Sequence, residues 1–111
     1  ALCVVTPTAE SRPDRTAAAA ELWRSVGGRI LELDPAAHDR AAAFASHVPH
    51  VAAAALVETV FAQDPASRAL CAGGFRDTTR VASGSHELWT AILSQNRAET
   101  GRALVALGAV L

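Results

Sequence analysis

One stretch limits what this chain can become: an apolar run from Pro35 to about Gln63 with a proline inside it. Asp34 suits an N-cap, and Pro35 suits the first helical position, where a missing N–H costs nothing. The pattern predicts a long helix, interrupted at Ser46-His47-Val48-Pro49-His50. Pro49 lacks the N–H that would bond the carbonyl of Ala45. A kink or break is expected there, at ~3 kcal/mol in a regular helix. From Val51 to Ala62 only Glu58 and Thr59 are polar. A helix that is apolar nearly all round is buried on most sides. A chain of 111 residues can hardly cover such a helix alone, so a second subunit is its natural partner.

Half of the chain is hydrophobic but only 5% is aromatic, so any core must be built from Ala, Val and Leu. The net charge of −1 argues against non-specific binding to nucleic acid or to a membrane surface. Cys3 and Cys71 match no metal spacing and no CxxC motif, and read as two buried, reduced thiols. The N-terminus lacks the basic segment of a signal peptide, and no apolar run is expected to be long enough to span a bilayer. A cytoplasmic location is expected. The chain contains no Met and starts directly in an apolar run, so residue 1 is not expected to be the natural start.

Leu2-Cys3-Val4-Val5, closed by Thr6-Pro7-Thr8, reads as a buried, parallel-type strand. A helix opens near Pro13, with Ala19, Leu22, Trp23 and Val26 as its inner face, and Gly27-Gly28 ends it. Arg29 to Leu33 reads as a second strand. Residues 1–34 therefore form a β-α-β piece, and two strands alone do not make a stable sheet. Residues 35–111 read as an all-helical domain, so the fold class is mainly α. Asp64-Pro65 starts a short helix. Ser85 is a candidate N-cap for a helix carrying Trp89, Ile92 and Leu93. Asn96 can cap the last helix.

The strongest polar group is Gly73-Gly74-Phe75-Arg76-Asp77-Thr78-Thr79-Arg80. Arg offers a planar fork of donors that fits a carboxylate. If the piece is helical, Asp77 and Arg80 stand at i, i+3 and can pair until an incoming carboxylate takes the arginine. The bland alternative is a surface ion pair worth ~0–1 kcal/mol. The two glycines speak for a close backbone approach. His47 and His50 project from similar sides of a helix, either as a polar lining for a ligand or as packing residues beside the proline. Trp89 could wall an apolar pocket or simply belong to the core. His38-Asp39-Arg40 reads as a solvated helix start. There is no G-x-G-x-x-G, no P-loop and no metal motif.

Taken together, the segments resemble the C-terminal part of the prephenate/arogenate dehydrogenase family. The matching pieces are Val5-Thr6-Pro7-Thr8, His38-Asp39-Arg40, Ser46-His47-Val48-Pro49-His50, Gly73 to Arg80, and Trp89-x-x-Ile92-x-x-x-Asn96. They stand in the family's order and cover nearly the whole chain. The resemblance implies a Rossmann-like domain binding NAD or NADP, followed by an all-helical domain that forms a homodimer. Residues 1–34 correspond to the tail of the first. It also implies oxidative decarboxylation of prephenate to 4-hydroxyphenylpyruvate, or of arogenate to tyrosine. By the same resemblance Arg80 binds a substrate carboxylate and Asp77 gates it. His50, with His47 beside it, supports the active site. Gly73 and Trp89 line the pocket, and Arg76 lies next to them. The family's catalytic histidine and cofactor fingerprint have no counterpart here. The chain alone is therefore expected to be inactive. The alternative is a non-catalytic helical dimer that binds an aromatic acid as a regulator.

Overall fold

A computed structural model describes all 111 residues. They form two compact units, residues 1–41 and 42–111.

In the first unit, strand β1 (Leu2–Val5) is followed by helix α1 (Pro13–Ser25) and strand β2 (Arg29–Glu32). The strands are parallel, in register from Leu2 opposite Arg29 to Val5 opposite Glu32, as the β-α-β reading requires. Pro13 opens α1 after an extended Arg12. The helix ends in a left-handed Gly27 at φ 82°. The Gly27 N–H donates to the Arg24 carbonyl at 2.9 Å, and the Gly28 N–H to the Trp23 carbonyl at 2.8 Å. This bond pair closes a helix C-terminus. A Cβ on Gly28 would stand 2.6 Å from the Trp23 carbonyl oxygen. The two glycines thus serve different needs, backbone conformation at Gly27 and close approach at Gly28. Gly27→Ala is expected to cost about 1–2 kcal/mol. A thermal melt reads this directly, and an unchanged midpoint would contradict the left-handed turn.

The expected inner face of α1 is not buried. Leu22, Trp23 and Val26 are all exposed, and Ala19 with them; the buried residue is Ala20. A sheet of two four-residue strands is too narrow to cover more than one strip of the helix. Helix α2 (Pro35–Ala42) follows. Asp34 caps it as expected, its Oδ1 accepting from the Ala37 N–H at 3.0 Å.

The second unit opens on a π-helical turn, Ala43–His47, that leads into α3 (Val48–Phe61). The expected interruption takes the form of this π-helical turn, without a break in the helical run. The Val48 N–H donates to the Ala43 carbonyl, an i→i+5 bond. That widens the turn just ahead of Pro49, so the ring is absorbed and the helix continues. Short helices α4 (Pro65–Ala69) and α5 (Gly73–Thr79) come next, then a 3₁₀ turn (Arg80–Ser83), α6 (His86–Gln95) and α7 (Arg97–Gly108). Asp64 and Ser85 cap α4 and α6, accepting from the Ser67 and Leu88 N–H groups at 2.9 and 3.3 Å. Helix α3 is central: α4, α5, the 3₁₀ turn and α7 all pack on it. Helix α7 also packs on the π-helical turn and on α6.

The buried apolar residues of this unit are small, namely Ala43, Ala53 and Ala103. Helix α3 was expected to be buried on most sides. Within the chain only His50 and Ala53 of it are buried, while Leu56 and Phe61 stay exposed. Small side chains let helices approach closely but cover little area. The helical run Pro35–Phe61 has 27 residues and is long and apolar enough, by length and composition, to cross a membrane. This overturns the expectation that no apolar run is long enough, because the π-helical turn carries the helix through the polar stretch Ser46–His50. Two buried imidazoles midway along it, with partners on other helices of the unit, fit packing in protein better than in hydrocarbon.

Candidate functional site

The π-helical turn places His47 and the first turn of α3 places His50, both buried. Helix α6 brings Trp89 to them across the unit. The His50 imidazole lies flat on the Trp89 indole, with ring centroids 3.6 Å apart and planes 7° from parallel. His47 meets the same indole at 87°, with centroids 6.4 Å apart. Sequence spacing left each of these residues open between core and site. The structure makes them one cluster.

The two histidines are held differently. His47 Nδ1 lies 3.1 Å from the Thr100 hydroxyl and 3.3 Å from Asn96 Nδ2, both on or next to α7. His50 Nδ1 is buried and has no hydrogen-bond partner in the chain. Leaving such a group unpaired costs ~1–3 kcal/mol. Packing alone, chiefly the indole face, holds that ring. A buried unpaired nitrogen beside an aromatic wall is a polar group whose partner the chain does not supply.

Arg76, Asp77 and Gly73 sit on α5, and Arg80 begins the 3₁₀ turn, two elements that pack on α3. The piece is helical, as the pairing argument required, yet no ion pair within 4 Å joins Asp77 to Arg76 or Arg80. All three side chains are exposed. The expected resting pair is therefore not formed, and solvation is worth as much to an exposed guanidinium as one surface carboxylate. Nor is there a close approach inside the chain at the two glycines. A Cβ on Gly73 or Gly74 would meet nothing within 4 Å. The open space there faces outward.

Thr100 and Gly84 belong to the cluster and escaped the sequence reading. A Cβ on Gly84 would lie 2.5 Å from Trp89 Nε1 and 3.6 Å from His50 Cε1. Gly84 has an ordinary extended backbone, φ −62° and ψ 157°, so no turn requirement marks it. Thr100 did leave a trace: it stands four residues after Asn96, on the same helix face. His38 belongs to the first unit, where its Nδ1 lies 3.0 Å from Asp39 Oδ1. A shallow depression of about 740 Å³ follows one face of α7, lined by Arg97, Ala98, Gly101, Arg102 and Val105. It contains none of the ring cluster, and one helix face does not enclose a ligand. The chemistry is better placed at the rings. Elsewhere a hydrogen bond from the Thr8 side chain holds the Glu10 carboxyl below its usual range. A hydrogen bond to Glu99 pushes the Arg102 guanidinium up.

The geometry defines a helical unit that gathers imidazole and indole in one spot, with a free arginine pair on the adjoining elements. Residues 34–105 match the family described as prephenate dehydrogenase, dimerization domain. The chain belongs to the prephenate dehydrogenase family. It is 37% identical over 97 residues to the cyclohexadienyl dehydrogenase of Zymomonas mobilis, which covers 84% of this chain and 33% of that protein. It is 32% identical over 100 residues to the prephenate dehydrogenase of Bacillus subtilis, covering 87% and 27%. The chain thus spans about a third of the length of these relatives. Among solved structures, it superimposes on Aquifex aeolicus prephenate dehydrogenase in complex with hydroxyphenyl propionate and NAD+. The TM-score is 0.92 at 28% identity, over 98% of this chain and 39% of that one. The arogenate dehydrogenase of Synechocystis gives 0.82 at 31% identity, over 96% and 40%.

Proposed function

We propose that this chain is the substrate-binding and dimerisation part of an NAD(P)-dependent prephenate or arogenate dehydrogenase of tyrosine biosynthesis. The observation that carries the reading is the buried, unpaired His50 nitrogen stacked on Trp89 in a chain of this family. A cyclohexadiene substrate with carboxylates asks for three things. An apolar wall meets the ring, and Trp89 supplies it. Hydrogen-bonding groups orient the ring substituents, and His50 and His47 supply them. A guanidinium grips a carboxylate, and Arg80 supplies it, with Arg76 adding positive potential. Asp77, three residues before Arg80, lowers that potential and gates the grip. Gly73 leaves space at the rim.

The nicotinamide cofactor would supply hydride acceptance, and the glycine fingerprint that cradles its pyrophosphate is not among residues 1–111. The β1–α1 connection reads Thr6-Pro7-Thr8-Ala9-Glu10-Ser11-Arg12 and has no glycine. A pyrophosphate could not approach α1 in the fingerprint manner. Residues 1–111 alone are expected to be inactive. The exposed apolar side chains of α3 and α7, together with the one-sided depression on α7, support a homodimer whose second copy covers these faces.

Calorimetry with hydroxyphenyl propionate on the complete gene product, with light scattering alongside, tests the reading. Saturable binding that His50→Ala abolishes, in a particle of twice the chain mass, is expected. A folded protein that ignores this compound would sink the substrate assignment. Tight tyrosine binding that needs no cofactor would favour the regulatory alternative, and a monomer at micromolar concentration would contradict the dimer.

A further inference from the structure

Asn96 stands at the N-cap of α7, where an asparagine side chain ordinarily accepts from the backbone N–H groups of the first turn. It makes no such bond. The expected cap is not formed, and helix α7 forgoes its stabilisation. The side-chain amide turns instead to a histidine 49 positions earlier in the chain, with Nδ2 3.3 Å from His47 Nδ1. One helical turn on, the Thr100 hydroxyl closes on the same nitrogen at 3.1 Å, at a buried position.

We propose that Asn96 is a positioning residue that sets which nitrogen of His47 carries the proton. An amide nitrogen has only hydrogens to offer. Facing it, Nδ1 must be the acceptor, and the proton of the neutral ring stands on Nε2. Thr100 holds the same edge of the ring, and Trp89 meets the ring at 87°. The imidazole is therefore fixed in plane and in tautomer. This deepens the substrate reading above and takes its functional meaning from it. A His47 with its proton on Nε2 offers a donor to a carboxylate or hydroxyl oxygen, whereas the other tautomer would set a lone pair against an anion.

Imidazole ¹⁵N spectra of the complete gene product test this, with the His47 signals assigned by their loss in His47→Gln. The wild-type ring is expected to be protonated on Nε2. In Asn96→Asp the facing group only accepts, so the proton of the neutral ring moves from Nε2 onto Nδ1. Hydroxyphenyl propionate is then expected to bind about tenfold more weakly, the loss of one charge-assisted hydrogen bond. The melting temperature should hold, because the Asn96 side chain has no cap bond to lose and aspartate keeps its shape and a hydrogen bond to the ring. Asn96→Ala removes the donor without inserting a charge and should leave the two tautomers mixed. A wild-type proton on Nδ1 would overturn the proposal, as would an unchanged His47 spectrum in both variants. A wild-type protein with the expected spectrum and spectral switch but no affinity for hydroxyphenyl propionate would instead remove the substrate reading and leave the positioning role standing.

Discussion

Arg80→Ala is expected to raise the KM for prephenate or arogenate in the complete enzyme by roughly tenfold to hundredfold. A charge-assisted hydrogen bond is worth about 1.5–3 kcal/mol, and each 1.4 kcal/mol is about tenfold. Cofactor affinity should change little, since the role given to Arg80 is to hold the substrate carboxylate. Stability should hold within about 0.5 kcal/mol, because the side chain is exposed and in no ion pair. That separation makes the result readable: a KM effect cannot be blamed on unfolding. Arg80→Lys should recover only part of the loss, since an ammonium lacks the planar fork. Arg76→Ala should have the smaller effect of a charge at a distance. An unchanged KM in Arg80→Ala would remove the role given to this residue.

Trp89→Ala is the second large effect, and it should strike stability and binding together. Truncating a core Trp costs about 3–5 kcal/mol. Trp89 is only half-buried, so about 2–3 kcal/mol is expected, read as a drop in melting temperature. The His50 ring loses the face at 3.6 Å that holds it, and no hydrogen bond to its Nδ1 replaces that support. Binding of hydroxyphenyl propionate should fall with it. Trp89→Phe keeps a stacking face and should be milder on both counts. Trp23→Ala, at an exposed tryptophan, is the control. Equal effects at the two sites would contradict a special role for Trp89.

The sequence was most legible where a local rule acts alone. Asp34, Asp64 and Ser85 cap helices because a short polar side chain beside orphan N–H groups has little else to do. The β-α-β order followed from an apolar run, a helical run and a glycine pair. Legibility failed where a distant group competes. Asn96 has every local reason to cap α7, and His47, far off in sequence, outbids those reasons. The inner face of α1 was drawn from periodicity, but periodicity says which residues share a side and not whether anything covers it. Asp77 and Arg80 have the spacing of a pair, yet at an exposed surface water satisfies both. The histidines and Trp89 were each singled out, and only the fold could show that they stack.

The wide turn at Ala43–His47 has a consequence for how this protein can vary. A π-helical turn is what one inserted residue leaves behind in an α-helix, and each residue advances the helix by about 100°. Removing a single residue there would restore regular winding and swing the side chains that open this unit, Ala43 among them, by about that angle relative to those of α3. Point substitutions at Phe44 or Ser46, both exposed, should be tolerated. A one-residue deletion among the same positions should not be. What is encoded at this place is a count of residues, and their identities matter less than their number.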